Sequence, residues 1–547
     1  MLEALRSGKI NPEKLIEMET GERRTFFEGV VGKENAFDVN ALFESKLLLK
    51  DQKRGLVRWA KQITGLKEPV RKDLITKIEK MEKVLDSDLI DLAAKKLGTR
   101  VSIEEMQEIS KLTKEAVEAR DAIKEDSPNG SPERLEYGLK SVLLQEYVDA
   151  LKLRSDLTYK EWIKQEGLGE ITLKGADQLK SLRSMGDISF SLRQGLPTLL
   201  THPTIWWKGF SKQFADIGAA LGGKDPLRAV RAEVISRKNA LNGKYQAGKF
   251  DLGVIAEEAF PATVGENIPV FGRISKASEA AYTGMALRLR AELADMFIEK
   301  AEASGMDLLH NASDARSVGT YVNSLTGRGN IGRLGASAAR GVNSTFFSPR
   351  FAKSRYDILT GHRFGFALEK GQGREFVRKR AAEDMAKIIG GVAVTLYIAK
   401  QLGFDVELDP RSTKAGQICY KDTCFDVTGG IRGFATLASR VITQSTKSAG
   451  SGKVTELNTG RFGSMTVADV LLNFAFGKLS PAAGLIRDAW LRGEDYSGEK
   501  FSLKKSLLFL PTPITFESIY GMKEEEASIF WAALIAEELG ISTTQYK

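Results

Sequence analysis

The residues of this 547-residue chain that could carry out chemistry are few and far apart. Its histidines, His202, His310 and His362, are widely separated, and its two cysteines, Cys419 and Cys424, have no second pair of metal-ligating residues beside them. A structural zinc site needs four cysteine or histidine ligands, so no metal site is predicted. A cysteine–histidine nucleophile would require one of the histidines to meet a cysteine in space, which the spacing does not indicate.

Two glycine-rich segments come close to phosphate-binding motifs but lack essential parts. Gly327, Gly329 and Gly332 spell the G-x-G-x-x-G of dinucleotide-binding folds, but the residues before them are typical of a helix, and no acidic residue follows at about 20 positions. The segment 450–453 (GSGK) lacks the first glycine of a P-loop and the Ser or Thr that binds magnesium. No pair of carboxylates stands out as an acid/base couple. We therefore expect no catalytic residues, no cofactor and no enzymatic activity.

Positive charge is concentrated in one segment, 310–380, which we call the basic window. It contains 13 Lys and Arg against four Asp and Glu, and this surplus of nine equals the net charge of the whole chain. A positive potential on one segment attracts phosphate groups of nucleic acid or anionic lipid, and the alternative is a solvated face that pairs with acidic protein surface. The predicted phosphate-binding residues are Arg328, Arg333, Arg340, Arg350, Lys353, Arg355, Arg374, Arg378, Lys379 and Arg380.

Helical periodicity dominates the rest of the chain. Apolar residues recur three and four positions apart at 74–90 and again at 103–123, where Ser102 and Glu105 form a capping box. The segment 126–132 (DSPNGSP) stacks turn residues and two prolines, and it indicates a boundary. We predict four regions: a charged amphipathic helical region (1–127), a helical middle region (133–305), a basic Gly/Arg-rich region with an apolar helix (306–404), and a hairpin with a C-terminal helical region (405–547).

Two helices carry patterns that suit a membrane surface as well as a protein core. The first has one apolar stripe flanked by lysines: Trp206, Phe210, Phe214, Ile217 and Leu221, beside Trp207, Lys208 and Lys212. Packing against the protein itself is favoured, and the alternative is membrane contact through Trp206, Trp207, Phe210 and Phe214. The second contains the apolar run 388–399, which is shorter than the roughly 20 residues of a membrane span. We expect that run to be a buried helix, and entry into a membrane after refolding is the alternative.

The strand signal is confined to 416–428 (GQICYKDTCFDVT), which predicts a β-hairpin around a two-residue turn, Lys421-Asp422. In that register Cys419 faces Cys424 as a non-hydrogen-bonded pair. The two cysteines could form a cross-strand disulfide, but a reduced pair is favoured because we expect the protein to be made in a cytoplasm. The predicted fold class is mainly α, an elongated multi-helix architecture with one short β-hairpin.

Five stretches of the sequence share their composition and order with a known group of proteins. They are 21–65, 192–210 (LRQGLPTLLTHPTIWWKGF), 323–355, 409–430 and 476–498 (FGKLSPAAGLIRDAWLRGEDYSG). Together they resemble the large polyvalent and internal virion proteins of tailed bacteriophages and related prophage elements. The resemblance implies a protein carried inside the phage particle or attached near its portal, and it assigns no catalytic residue. Members of that group carry glycine at the hairpin turn, where this chain has Lys421-Asp422.

The leading hypothesis is a non-enzymatic, virion-associated internal protein that takes part in DNA packaging, DNA ejection or passage through the host envelope. Its expected partners are phage DNA bound non-specifically through phosphates, other virion proteins, an anionic membrane surface and further copies of itself. Its expected location is the virion, and then the host envelope or cytoplasm after ejection. A purely structural assembly protein (a plug, scaffold or connector) is the alternative, and an injected host-directed effector is a weaker one.

Overall fold

The computed structural model describes residues 103–153, 189–252, 269–332, 342, 345–346, 348–363, 368, 371–459, 465–479, 483–484, 487–488 and 527–546. The chain divides into two compact units, Met1–Trp162 with Ile235–Arg237, and Ile163–Val234 with Lys238–Lys547. The described part is 66% helical and contains a small antiparallel sheet, which confirms the mainly α fold class. The helix predicted at 74–90 lies outside the described residues.

In the first unit, the described residues form a helical hairpin. Helix α1 (Ile103–Asp121) and helix α2 (Pro132–Leu153) are joined through the segment 126–132, and Ile109 and Leu151 pack together in the buried contact between them. Helix α1 ends at Asp121, before this segment, and Pro132 begins α2, since proline is tolerated in the first turn of a helix but not in its interior. The segment 126–132 lies within the first unit, and positions 305 and 404 lie within the second. The division into four regions stays a prediction.

One long helix forms the centre of the second unit. The remaining described helices are, in chain order, α3 (Phe190–Arg193), α4 (Leu196–Thr201), α5 (Pro203–Leu221), α6 (Pro226–Ile235), α7 (Lys238–Leu241), α8 (Lys244–Gly248), α9 (Pro269–Ala303), α10 (Ala312–Leu325), α11 (Pro349–Leu359), α12 (Gln372–Gln401), α13 (Arg432–Thr443), α14 (Val467–Phe476) and α15 (Ala527–Leu539). The middle of α9 is fully buried at Leu289, Leu293 and Phe297. Side chains from α6, α8, α10 and α12 complete the core around it, as expected for a helix covered on several sides.

The strands form two small antiparallel sheets. Strands β1 (Asp405–Val406), β2 (Gln417–Tyr420), β3 (Thr423–Asp426) and β6 (Thr543–Gln545) pair in the order β1-β2-β3-β6, and β4 (Ser445–Lys447) pairs with β5 (Val454–Glu456). The β2–β3 hairpin has the predicted register, with Cys419 opposite Cys424. The structure nevertheless contains more strands than the two of the predicted hairpin. The added strands are two or three residues long, which is too short for an alternating pattern to appear in the sequence.

The apolar run 388–399 lies in the second half of α12 and is buried on one side only. Ile388, Leu396 and Ala399 are buried, and Gly391 lies against Leu200 of α4, whereas Tyr397 is 64% exposed. The prediction of a buried helix is therefore wrong for the outer face, because neighbouring elements cover only the inner one. No helix in the described ranges combines the length and the apolar character that crossing a bilayer requires.

Candidate functional site

Several cations of the basic window point into the protein. Two of them, Arg328 and Arg350, share the carboxylate of Asp251. The Nη1 groups of Arg328 and Arg350 donate to Oδ2 of Asp251 at 2.8 and 3.3 Å, and Nη1 of Arg290 donates to the Asp251 backbone carbonyl at 2.5 Å. Burial alone would raise the pKa of the Asp251 carboxyl, but the charges of these three arginines outweigh burial and hold it below the usual value. Arg328 is itself buried, so it is not available to a phosphate on the surface.

Arg355 lies fully inside the protein, where its guanidinium meets backbone carbonyls. Nε donates to the carbonyl of Gly429 at 2.7 Å, and Nη2 donates to the carbonyls of Arg193 and Gln194 at 2.5 and 3.2 Å. The guanidinium also stacks over the Phe351 ring at 4.4 Å. Burial lowers the pKa of Arg355 to about 9. This side chain fixes α11 to the end of α3 and to the loop before α13, which is a structural role.

Lys353 is neutralised within its own helix. Its Nζ pairs with the fully buried carboxylate of Asp357, to which Ser324 Oγ also donates at 3.3 Å. Burial raises the pKa of Asp357, and the contacts with Lys353 and Ser324 offset only part of that effect. Two further predicted residues, Arg333 and Arg340, lie outside the described residues.

The first turns of α12 carry four predicted cations that are partly or fully exposed: Arg374, Arg378, Lys379 and Arg380. Their acidic neighbours come from the same helix. Glu375 lies 3.5 Å from Arg374 and 3.8 Å from Arg378, and Glu383 accepts a hydrogen bond from Arg380 at 2.8 Å. Two carboxylates against four cations leave a small local excess of positive charge, and surface pairs of this kind are weak. A phosphate could therefore compete for these side chains.

Helix α5 packs through a face that differs from the predicted stripe. Its buried residues are Trp206, Gly209, Gln213, Asp216 and Ala220. Trp206 Nε1 donates to the carbonyl of Ser191 at 2.8 Å, Ser191 Oγ donates to Gln213 at 2.6 Å, and Asp216 forms an ion pair with Arg288 of α9. Polar side chains can occupy the buried face because α3 and α9 supply their hydrogen-bond and ion-pair partners. A pattern read from apolar residues alone does not identify such buried polar residues.

Much of the predicted apolar stripe of α5 instead approaches or reaches the surface. Of the four residues predicted to touch a membrane, Trp206 is buried, and Phe210 is partly covered and stacks on Trp206 with ring centroids 4.5 Å apart. Trp207 and Phe214 are 62% and 48% exposed. The membrane assignment is therefore wrong for Trp206, while Trp207 and Phe214 remain accessible to a partner.

Cys419 and Cys424 are joined by a disulfide across the β2–β3 hairpin, and both are buried. The expectation of a reduced pair is wrong for this structure, because the hairpin register places the two alpha carbons 4.0 Å apart. Disulfide formation removes both sulfurs as nucleophiles. Among the residues that the structure describes, no group of three or more His, Cys, Asp or Glu is placed to hold a metal ion.

A buried polar group that the sequence did not indicate joins α10 to α12. Tyr321 Oη donates to Asp384 Oδ2 at 2.5 Å, and the ring of His362 lies 5.4 Å from the Tyr321 ring. Burial lowers the pKa of His362 to about 3 and that of His202 to about 4, and it raises the pKa of Tyr321. The imidazoles are therefore neutral at physiological pH. These residues are far apart in the sequence, so no local motif could have predicted their association.

Comparison with known proteins does not assign the chain. No protein-family model matches it, and neither a curated protein nor a solved structure matches it. The functional proposals therefore depend on the geometry above and on the resemblance of the five stretches.

Proposed function

We propose that this chain is a structural assembly protein of a tailed-bacteriophage particle, and that it acts by binding other protein chains and not by catalysis. The resemblance of the five stretches to internal virion proteins supports the phage context. The observation that carries the assembly role is a set of large apolar side chains at the surface, while several arginines that could have met a phosphate are buried. Arg328 and Arg355 are buried, whereas Tyr397, Leu402 and Trp531 are largely exposed.

Large exposed apolar side chains support a protein partner because several of them lie close together on α12 and on α15. On α12, Val394, Tyr397 and Ile398 lie within about one turn, and on α15, Trp531 and Ile535 are one turn apart. Scattered apolar residues are normal on a protein surface, but clustered ones mark interaction sites. Aromatic residues are also enriched at protein interfaces.

The buried arginines argue against the basic window as a continuous DNA-binding surface. Contact with a phosphate would require Arg355 to leave the carbonyls of Gly429, Arg193 and Gln194, which would then be buried without hydrogen bonds. Each such unsatisfied group costs about 1–3 kcal/mol. DNA contact through the first turns of α12 is the second candidate function, and the exposed Lys379 with its neighbouring arginines favours it.

Quantitative mass spectrometry of purified particles of the encoding phage, before and after DNA ejection is triggered in vitro, tests the assembly role. We expect the chain in both preparations at the same copy number relative to the major capsid protein. Loss from the emptied particles would favour the DNA-ejection hypothesis instead. Absence from both preparations would contradict a virion role.

A further inference from the structure

Helix α5 presents large apolar residues and lysines to the surface, and it turns its acidic residue inward. We call the exposed set the α5 outer face, and its members are Thr204, Trp207, Lys208, Ser211, Lys212, Phe214, Ala215, Gly218 and Leu221. The one acidic residue of α5, Asp216, is buried on the opposite side and pairs with Arg288 of α9. Every charge that α5 contributes to its outer face is therefore positive.

The large apolar members of the α5 outer face form a ridge. Trp207, Phe214 and Leu221 are 62%, 48% and 47% exposed. They recur every seven residues, so they lie on one stripe of the helix about 10 Å apart along its axis. The residues between them on that stripe, Ser211 and Gly218, are small. Large side chains that project singly can enter a fluid lipid interface, whereas a protein partner would need a matching pocket for each of them.

The ridge is supported from below by the partly covered ring of Phe210 and the buried ring of Trp206. The ring centroid of Trp207 lies 5.8 Å from that of Phe210, and Phe210 in turn stacks on the buried Trp206. Phe214 meets Phe210 edge to face at 5.1 Å. These contacts hold the exposed rings in place without covering them, so the rings lose little conformational freedom when they bind a partner.

The lysines of the α5 outer face lie on one flank of the ridge. Lys208 directly follows Trp207, and among the described residues no carboxylate lies within ion-pair distance of its ammonium group. Lys212, one turn later, is 3.9 Å from Glu233 of α6 and remains 56% exposed, which makes this a weak surface pair. A lysine stem can lie along an apolar surface while its ammonium group reaches the phosphates above it.

We propose that the α5 outer face binds an anionic lipid surface. Trp207, Phe214 and Leu221 would enter the interfacial layer, while Lys208 and Lys212 meet the headgroup phosphates. A second copy of this chain fits less well, because contact between two α5 outer faces brings lysines together, and α5 itself contributes no carboxylate to its outer face. The inference goes beyond the proposed assembly role and does not depend on it. Its test uses the purified chain, so it can fail while the particle experiment succeeds.

Vesicle co-flotation of the full chain measures the binding and its charge dependence. We expect the wild type to bind vesicles of equal parts phosphatidylglycerol and phosphatidylcholine at least tenfold more tightly than vesicles of phosphatidylcholine alone. Lys208→Glu should weaken binding to the anionic vesicles about tenfold, while Lys453→Glu, at an exposed lysine between β4 and β5, should leave it within about twofold. No binding by the wild type, or equal binding to both kinds of vesicle, would overturn the proposal.

A tryptophan pair tests the ridge. Trp207→Ala should weaken binding to the anionic vesicles about tenfold, because it removes a large exposed apolar side chain. Trp531→Ala is the matched control, since Trp531 on α15 is 59% exposed, and its binding should stay within about twofold of the wild type. Equal effects of the two substitutions would contradict a site on α5.

Gly218 gives a test whose sign depends on the partner. A Cβ added at Gly218 would meet nothing within 4 Å, so Gly218→Leu should leave the thermal unfolding temperature unchanged or raise it. Leucine enlarges the apolar ridge, and we expect it to tighten vesicle binding about threefold or more. Sedimentation equilibrium provides the alternative readout. Two results together would overturn the proposal in favour of a second copy. The wild type would form a dimer that Gly218→Leu disrupts, and Gly218→Leu would fail to tighten vesicle binding.

An environment-sensitive label shows whether the α5 outer face enters the lipid. Gly218→Cys labelled with a nitrobenzoxadiazole dye should give brighter, blue-shifted emission when the anionic vesicles are added, because the dye leaves water. The same dye at Ala532→Cys, an exposed position on α15, should not change. Unchanged emission at position 218 in chains that co-float with the vesicles would place the lipid contact elsewhere and contradict the proposal.

Discussion

Two groups of cations within the basic window lie in opposite environments. Arg355 is fully buried and bound by carbonyls from two separate segments, whereas Arg378 is partly exposed and lies 3.8 Å from Glu375 of the same helix. Only the second kind of cation is free to meet a phosphate. The net charge of a sequence segment gives the excess of its cations over its anions, but it does not show how many of those cations reach the surface.

The buried position of Arg355 has a physical cause at the end of α3. The last carbonyls of a helix have no partner within it, so they need donors from elsewhere in the fold. The carbonyls of Arg193 and Gln194 lie at that end, and Arg355 donates to both. A guanidinium with five fixed donors suits several carbonyls at once, which a lysine could not replace.

The largest expected effect comes from Arg355→Met, which leaves the carbonyls of Gly429, Arg193 and Gln194 without this donor. We expect a loss of about 3 kcal/mol or more in the free energy of unfolding, measured by chemical denaturation. Arg378→Met is the matched control, and its effect should stay within about 0.5 kcal/mol because it removes only a surface pair. Equal effects of the two substitutions would remove the distinction between the two groups of cations.

Asp251→Asn should have the next largest effect, because it leaves the buried Arg328 without its counter-charge. We expect a loss of about 2 kcal/mol at pH 7. The folded-state pKa of Asp251 is depressed, so its contribution is present above the unfolded pKa near 4 and is lost as the pH falls through the folded value. The difference between wild type and variant should therefore shrink below pH 4 in pH-dependent denaturation. A constant difference would show that its charge is not responsible.

His362→Gln tests whether burial keeps the His362 imidazole neutral in the folded protein. The folded pKa of His362, about 3, lies below the unfolded value near 6.5, so the unfolded chain binds more protons between them. The contribution of His362 to the free energy of unfolding is fully present above pH 6.5. It is lost as the pH falls below that value, by about 1.4 kcal/mol per pH unit. Between pH 6.5 and 5.5 the wild type should lose about 1 kcal/mol more than His362→Gln. Parallel pH profiles would contradict the burial of a neutral imidazole.

The smallest effect on stability belongs to the triple replacement of Arg378, Lys379 and Arg380 by Ala. These side chains are at least partly exposed, so the free energy of unfolding should change by less than about 1 kcal/mol. Any weak DNA binding should fall, and the slope of its salt dependence should flatten by about three. Fluorescence anisotropy with a labelled duplex measures both. An unchanged slope would exclude the first turns of α12 as a phosphate contact.

The parts of the fold that could be predicted depend on neighbours in the sequence. The helical class follows from apolar spacing, and the hairpin follows from strand-forming residues on either side of Lys421-Asp422. The same local rule placed Cys419 opposite Cys424, which the structure confirms. The redox state was wrong because it was inferred from an expected compartment and not from the register.

The rest depends on partners that lie far away in the chain. Arg328 meets Asp251 across 77 positions, Arg355 meets Arg193 across 162, and Asp216 meets Arg288 across 72. Nothing in the sequence around an arginine states whether a distant carbonyl or carboxylate will reach it. For the same reason the buried face of α5 was assigned to the wrong stripe, since its Gln213 and Asp216 are satisfied by other helices.

The most direct test of the central claim, that much of the basic window serves the interior of the fold, is the salt dependence of DNA binding by the wild-type chain. Each phosphate contact contributes about 0.9 to the slope of log K against log salt concentration. With Arg328, Lys353 and Arg355 held inside, seven of the ten predicted cations remain, so we predict a slope no steeper than about −6 and weak binding at about 150 mM salt. A slope of about −9, as expected if all ten predicted cations met phosphates, would contradict the account.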